Sequence, residues 1–540
     1  VLYTIENYVY DEIGNVITRE ITGTKDKLSA KKTTYTYYDN NLVNTVTDSS
    51  GAYTRAYYDK NGNRIKIESL RSEGIFDIQK FEYDSQDRVI KEIKLVSEED
   101  IHNAAGMPNL DSLKDGEYPG KLMLITAYEY DILGNKTKVI SPMAFGCKED
   151  DTQNRANYTT EYSYDLLNRL EMTTRKYDGR NVFTQYTYDA AGNMLAVKNE
   201  RGYTTVYTYD GLNRVETITD AKNNQYRYAY DLSGNKLSET NAKGYTMTYD
   251  YDKLNRLQTV TDAYNKVISR KVYDANGNII KEIDAEGYQS AGDDESRYGT
   301  IYTYNLANMI VSYSTPEAAE KNKISIKYTY NQYGEVIKQT DGLGSTISYE
   351  YDAAGNLTKV TDALGTVTKY SYDKQGNKLT MTDGRGKLTR YAYIAFGNLK
   401  SVINADNQTQ TYKYDLEGNT VCVTDKNGNN TLYTYDNRGL LLQRKVAETG
   451  DSITYAYDET GNRSSMTDES GTSIYYYDEN NRLTGIQKGG NTQISYAYDQ
   501  TGNIVKVTDL KGNTVEYTYD KSSRLETVTW GGKTTTYSYD

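Results

Sequence analysis

Over most of the chain, apolar and polar positions alternate in short runs cut by turn residues. In "TVTKYSYDKQGNKLTMTD" Tyr370 and Tyr372 stand two apart, which puts both rings on one face of a strand and Ser371 on the other. Such alternation predicts strands, not helices. After the second tyrosine comes Asp-x-x-Gly or Asp-x-x-Asn, and Gly and Asn are the residues that enter positive φ most readily. An aspartate at the first turn position accepts from backbone amides two or three residues on, and Gly or Asn at the fourth suits a type I turn closed by a bulge. The next run is β-branched and Thr-rich ("NLTKVTD", "RVETITD") and ends at a second turn, as in "TDALG", "TDGRG" and "TDKNG". Each repeat is therefore one hairpin.

The repeat is plain in Tyr207, Tyr209, Asp210 and Asn213; in Tyr228, Tyr230, Asp231 and Gly234; in Tyr349, Tyr351, Asp352 and Gly355; and in Tyr370, Tyr372, Asp373 and Gly376. Its period is about 21 residues. The motif degrades to Asn305 in "YTYN" and to Ile394 in "YAYI", yet the spacing survives. Residues 1–540 thus read as a single array, which starts inside a repeat and stops just before another turn is due, as an excerpt of a longer protein would. The Tyr-Asp end of the hairpin hardly varies in length. The long insertions, residues 96–120, 141–157, 284–299 and 314–323, all fall at the Thr-Asp end. They are expected to be tolerated surface loops or a contact side.

About forty strands, each about 4.8 Å from the next, would make a strip on the order of 200 Å long, and so wide a sheet cannot stay flat. Between Asn168 and Asn308 the turns alternate between Gly-Asn and Asn forms. That leaves open a propeller of two-hairpin blades beside a continuous wound strip.

Composition agrees with a folded β chain. The hydrophobic fraction is only 37%, but 59 Tyr against 4 Pro opposes disorder and puts the burial in phenol rings. Neighbouring hairpins are expected to stack their tyrosine ladders. A net charge of −12 with interspersed Lys and Arg leaves no basic stripe, so nucleic acid is not an expected partner. No run has the length and apolarity of a membrane span. Cys147 and Cys422 form neither a disulfide framework nor a metal pair.

The "YxYDxxGN" and "YxYDxxNRL" units resemble those of RHS/YD-repeat proteins, through nearly all of the chain and more weakly near residues 66–160 and 284–330. That resemblance implies an all-β fold of tandem hairpins forming a long antiparallel strip wound into a spiral shell or barrel. It also implies a non-enzymatic role in a secreted or surface bacterial protein, enclosing or presenting a C-terminal toxin-type polypeptide. A core region and toxin domain of the family's pattern are not recognisable after the last repeat. The alternative is an adhesin that binds glycan or a cell-surface protein through the tyrosine face or the insertion rim.

Candidate chemistry is thin. His102, the only histidine, sits in the first insertion and reads as a solvent-exposed loop residue, not a catalytic base. Carboxylate pairs are too common to mark a hydrolase. "DKNGNN" (425–430) and "DANGN" (274–278) lack the full EF-hand ligand set and read as turns. "GLGS" (342–345) and "GRG" (384–386) are no nucleotide loops, so no cofactor and no metal is expected. Trp530, beside a Gly pair, is expected to pack at a repeat end.

Overall fold

A computed structural model describes residues 4–23, 30–102, 110–148, 151–291, 298–321 and 323–539. Its forty-five strands belong to one sheet. From Thr4–Tyr10 beside Val16–Gly23 to Leu525–Trp530 beside Lys533–Thr536, strands adjacent in sequence pair antiparallel. Thr204–Tyr209, Val215–Thr219, Gln225–Tyr230, Lys236–Thr240, Thr246–Tyr251 and Leu257–Thr261 pair one after another with no break at every fourth strand. Separate propeller blades are therefore not what the alternating turns build.

Within a hairpin the ladder is Val206↔Thr219, Tyr207↔Ile218, Thr208↔Thr217 and Tyr209↔Val215, with a register shift between Thr208 and Tyr209. This is the bulge that the turn sequence predicts: one extra residue lets a four-residue loop close while the strands keep their twist. Between hairpins the ladder is shorter, for example Ala196↔Val206, Val197↔Thr205 and Lys198↔Thr204. Neighbouring hairpins are thus tied by backbone at the Thr-Asp end and need another tie at the Tyr-Asp end.

The chain divides into two compact units. The first comprises Val1–Tyr162, Thr174–Asn181 and Tyr328–Ser452; the second comprises Ser163–Thr173, Val182–Lys327 and Ile453–Asp540. Within each, two stretches of ribbon far apart in sequence lie rim to rim.

Among the described residues, both clusters of buried apolar side chains lie in the first unit. One joins Val96, Ile101, Leu113 and Leu122 to Ile394, Ala395, Tyr414 and Leu416; the other holds Ile78, Ile93 and Leu95. The strands that feed them, Arg64–Ser72, Ile75–Tyr83, Val89–Ser97 and Lys121–Tyr130, run nine to ten residues, against five or six in the plain repeats. Extra length at the Thr-Asp end carries aliphatic side chains where Thr stands elsewhere, and so the repeat looks weaker over residues 66–160. The later insertions contribute short helices: Pro142–Gly146, Thr152–Asn157, Ala285–Ala291 and Pro316–Glu320. Part of the third insertion, residues 292–297, lies outside the described residues.

Two sequence expectations are corrected. His102 is half-buried, and its backbone N–H donates to the Tyr414 carbonyl at 2.8 Å, because its insertion is docked instead of free. Trp530 closes its strand opposite Lys533 and is 63% exposed, so it does not pack at its repeat end.

Candidate functional site

The repeated turn is the smallest working part. Asp210 Oδ1 accepts from the amides of Leu212 (2.9 Å) and Arg214 (3.0 Å), and Oδ2 accepts from Arg214 Nε at 2.7 Å. The Asn213 amide donates to the Asp210 carbonyl at 3.0 Å, with Asn213 at a φ of 61°. Asp352 and Asp373 bind Asn356 and Asn377 in the same way, through both the amide and the side chain. Asp231 does so with Asn235. The carboxylate thus reaches two and four residues on, not two and three. Gly234, Gly355 and Gly376 hold φ of 92°, 95° and 85° at the fourth position.

The fifth turn residue is what the sequence reading missed, although its signal is present: Gly is followed mostly by Asn and Asn mostly by Arg. In the second unit these two forms link hairpins in sequence. Asn235 Nδ2 donates to Oδ1 of Asn255, the left-handed residue of the next hairpin, at 3.0 Å; Asn193 does the same to Asn213 and Asn278 to Asn308. The Arg form reaches further. Arg256 Nη1 donates to the Asp274 carbonyl at 2.9 Å while its guanidinium lies 4.5 Å from the centre of the Tyr273 ring, and Arg214 covers Tyr230 at 4.8 Å. The alternation of turn types is therefore a relay of clasps along the rim.

The second tyrosine supplies the missing tie at this end. Tyr209 OH donates to the Met194 carbonyl at 2.8 Å, Tyr351 OH to Val336 at 2.9 Å and Tyr372 OH to Leu357 at 2.8 Å, each a backbone acceptor on the preceding hairpin. Each such bond contributes on the order of 1 kcal/mol. This differs from a stacked ladder: the ring pairs Tyr302–Tyr313 and Tyr328–Tyr330 are tilted, at 39° and 38°. The first tyrosines Tyr207, Tyr228, Tyr349 and Tyr370 lie across from Ile218, Glu239, Val360 and Met381. The repeat residues do not converge on one centre; each set closes its own hairpin and ties it to the preceding one, two sets in each unit.

Beyond the turn, the Thr-Asp rim of one stretch meets the Tyr-Asp rim of another. In the first unit Lys31 pairs with Glu335 at 2.7 Å, the Lys374 amide donates to the Arg71 carbonyl at 2.9 Å, and the Phe396 amide donates to Asp77 at 3.0 Å. Asn437 Nδ2 donates to the carbonyls of Asn157 (2.6 Å) and Lys176 (2.7 Å). In the second unit Arg201 reaches the Asp478 carbonyl and Asn481, Asn480 Nδ2 donates to Asp220 at 2.6 Å, and Lys243 pairs with Asp499 at 2.5 Å. Ser522 Oγ donates to Asp262.

Two insertions fill the first unit's seam. Residues of the 96–120 insertion, Ile101 and Leu113, pack on Ile394, Ala395 and Leu416 at the opposing turns. Ile394 stands where the repeat has aspartate because the position is 2% exposed in an apolar cluster, where a carboxylate would be desolvated. Glu417 accepts from Ser141 Oγ and from the Met143 amide at the start of the Pro142–Gly146 helix. Burial pushes the Asp415 carboxyl up from its ordinary value, while Glu417 beside it stays exposed. The described parts of these insertions are wedged between ribbon stretches and are not loose surface loops; residues 103–109 and 149–150 lie outside the described residues.

The site offers little for catalysis. The carboxylates are engaged by turn amides, as Asp425 is by Asn427 and Asn429 in "DKNGNN". Burial raises the Cys147 thiol, which disfavours the thiolate, and burial holds the His102 imidazole below its usual value. Among the described residues no cluster of three His, Cys, Asp or Glu is placed to hold a metal ion, and no helix is long and apolar enough to cross a membrane.

Known proteins share this arrangement. A family model described as the Teneurin YD-shell matches residues 289–484 and 406–540, and one described as the RHS repeat matches residues 188–225 and 209–246. No curated protein matches the sequence. A structure of the Photorhabdus luminescens Tc holotoxin pore bearing a TccC3 mutation is similar, with a TM-score of 0.62 at 15% identity, over 98% of this chain and 30% of that one. A TcdB2-TccC3 crystal structure is similar with a TM-score of 0.59 at 14% identity, over 97% of this chain and 34% of that one. The chain spans about a third of the length of these structures. They share its fold, a long antiparallel strip of hairpins. The two family models fall on runs of this tyrosine–aspartate hairpin, and the chain belongs to the RHS/YD-repeat family.

Proposed function

We propose that residues 1–540 act as one structural array, a length of shell wall in a secreted bacterial toxin-type protein, and that this wall encloses a polypeptide carried in the same protein. The observation that carries the reading is the rim-to-rim contact within each unit. Hairpins clasped side by side make a strip, and strips joined at their rims make a wall that a chain cannot thread. Support for a polypeptide occupant comes from the face opposite the tyrosines, where hydroxyls pair across strands: Thr208 with Thr217 at 2.7 Å, Ser371 with Thr380 at 2.6 Å and Thr518 with Thr527 at 2.8 Å. A lining of satisfied hydroxyls stays wet and gives an unfolded chain no apolar surface on which to collapse. The similarity to toxin-complex structures, one of them a holotoxin pore, fits the same reading. No cofactor and no catalytic residue is part of it.

The test is protease protection. An unstructured reporter polypeptide fused after Asp540 is exposed to a non-specific protease beside the same reporter free in solution. Survival of the fused reporter while the free one is digested is the expected result, with protection lost when the wall is unfolded by denaturant. Digestion of both at the same rate overturns the enclosure.

A further inference from the structure

The rim contacts leave one kind of edge uncovered. In both units the second and third residues of the Tyr-Asp turns of the later ribbon stretch make the seam: Ala353, Lys374 and Asn437 in the first, Glu479, Asn480 and Ser522 in the second. In the second unit the same turn positions of the earlier stretch carry Leu166, Leu167, Leu212, Leu232, Leu254 and Leu306, which are 59–103% exposed. A leucine at this position in a covered turn behaves otherwise: Leu416, second in its turn, is 1% exposed against the opposing Thr-Asp insertion. A row of exposed leucines on successive turn tips is an apolar edge of the kind that marks an interaction surface.

We propose that this edge binds the Thr-Asp rim of a second copy of the same chain. Three observations select that occupant. Every contact described between two stretches of ribbon within a unit joins a Tyr-Asp rim to a Thr-Asp rim, so the new contact continues an interface already present twice. The chain also presents the matching half, since Leu343 and Leu364, at Thr-Asp tips of the first unit, are both 94% exposed. Spacing fits as well: tips on one ribbon recur every two strands, about 9.6 Å, and any second ribbon of the same repeat has the same pitch. Aliphatic tips offer no aromatic face for a sugar, and a net charge of −12 does not favour a nucleic acid. The contact is heterologous, one rim type against the other, so copies add head to tail. It is independent of any enclosed cargo.

Sedimentation velocity of the whole chain, from about 1 to about 100 μM, tests this. Mass rising above the 61.3 kDa monomer with concentration is expected. The triple variant Leu212→Lys, Leu232→Lys, Leu254→Lys weakens association about tenfold or more. Val206→Lys, in the middle of the Thr204–Tyr209 strand on an exposed sheet face away from the tips, leaves it unchanged. These side chains are exposed, so the variants keep their fold, which circular dichroism checks. A mixture of Leu254→Cys and Leu364→Cys chains forms a mixed disulfide faster than either variant forms one with itself; the native Cys147 and Cys422 are buried. A monomer at the highest concentration, association indifferent to the triple variant, or no preference for the mixed disulfide overturns the proposal.

Discussion

The two units join the same kinds of rim by different means. In the first, the seam is partly apolar: long strands and an insertion carry Val96, Ile101, Leu113 and Leu122 onto Ile394 and Leu416, and the carboxyl beside it, Asp415, is pushed up by burial. In the second, the described seam contacts are hydrogen bonds and ion pairs. Burial works against the Asp499 carboxylate, yet Lys243, Thr501 and the turn amides outweigh it and hold Asp499 low. A standard turn at a standard pitch therefore accepts either chemistry, and what decides is the opposing Thr-Asp end. Where that end carries an insertion, Ile394 replaces the aspartate of one turn and Asp415 of the next keeps it in a buried place. Where it is a plain turn, the motif stays polar.

The largest effect expected from this difference is a split response to pH. Turn carboxylates such as Asp210, held low first by the Arg214 side chain, and Asp231, held low first by the Asn235 side chain, stabilise the fold fully above the ordinary carboxylate value. Their contribution is lost as pH falls below about 4 and through the lowered values. Asp415 has the opposite sign: its contribution is complete below the ordinary value and is lost as pH rises through the raised one. Acidification toward the ordinary carboxylate value should thus raise hydrogen-exchange protection, corrected for intrinsic rate, at the turn from Asp415 to Asn419, while the unfolding midpoint of the whole chain drops only below about pH 4. A uniform response of both regions would remove the distinction.

Next in size is Ile394→Asp, which restores the repeat motif and should nonetheless destabilise the first unit by roughly 3 kcal/mol or more, because the new carboxylate has no water. Urea unfolding measures it. Gly355→Val should cost about 1–2 kcal/mol, since a β-branched residue resists positive φ. Its Cβ would also come within 2.9 Å of Glu335 Oε1, the partner of Lys31. An unchanged thermal midpoint would contradict the turn geometry. In the second unit Lys243→Met should lose about 1 kcal/mol, because Asp499 keeps its bonds to Thr501 and Asn503. Smallest is Asn305→Asp, within about 0.5 kcal/mol of zero: Asn305 Oδ1 already accepts from Ala307 and Met309 as an aspartate would. Motif restoration is thus harmless at one degenerate position and damaging at the other.

What the sequence disclosed follows from range. Strand alternation, the bulged turn, positive φ at Asn213 and Gly355, and insertion at one rim all rest on contacts within about twenty residues, which a periodic chain writes out repeatedly. Seam contacts do not repeat. Lys31 meets Glu335 across 304 residues and Tyr264 meets Lys521 across 257, so neither pair leaves a local pattern. For that reason Ile394 read as decay of the motif and His102 as an exposed loop residue, although both are placed by the docked insertion. The pairing of Gly with Asn and of Asn with Arg was visible in the repeat, but it gains meaning only once the next hairpin is seen beside it.

Zero-length carbodiimide cross-linking followed by peptide mass spectrometry tests the rim contacts most directly. The account predicts Lys31–Glu335 and Lys400–Glu99 links in the first unit and a Lys243–Asp499 link in the second, where the ion pairs are 2.7, 2.6 and 2.5 Å long. Links confined to neighbouring hairpins, with none of these three, would contradict it.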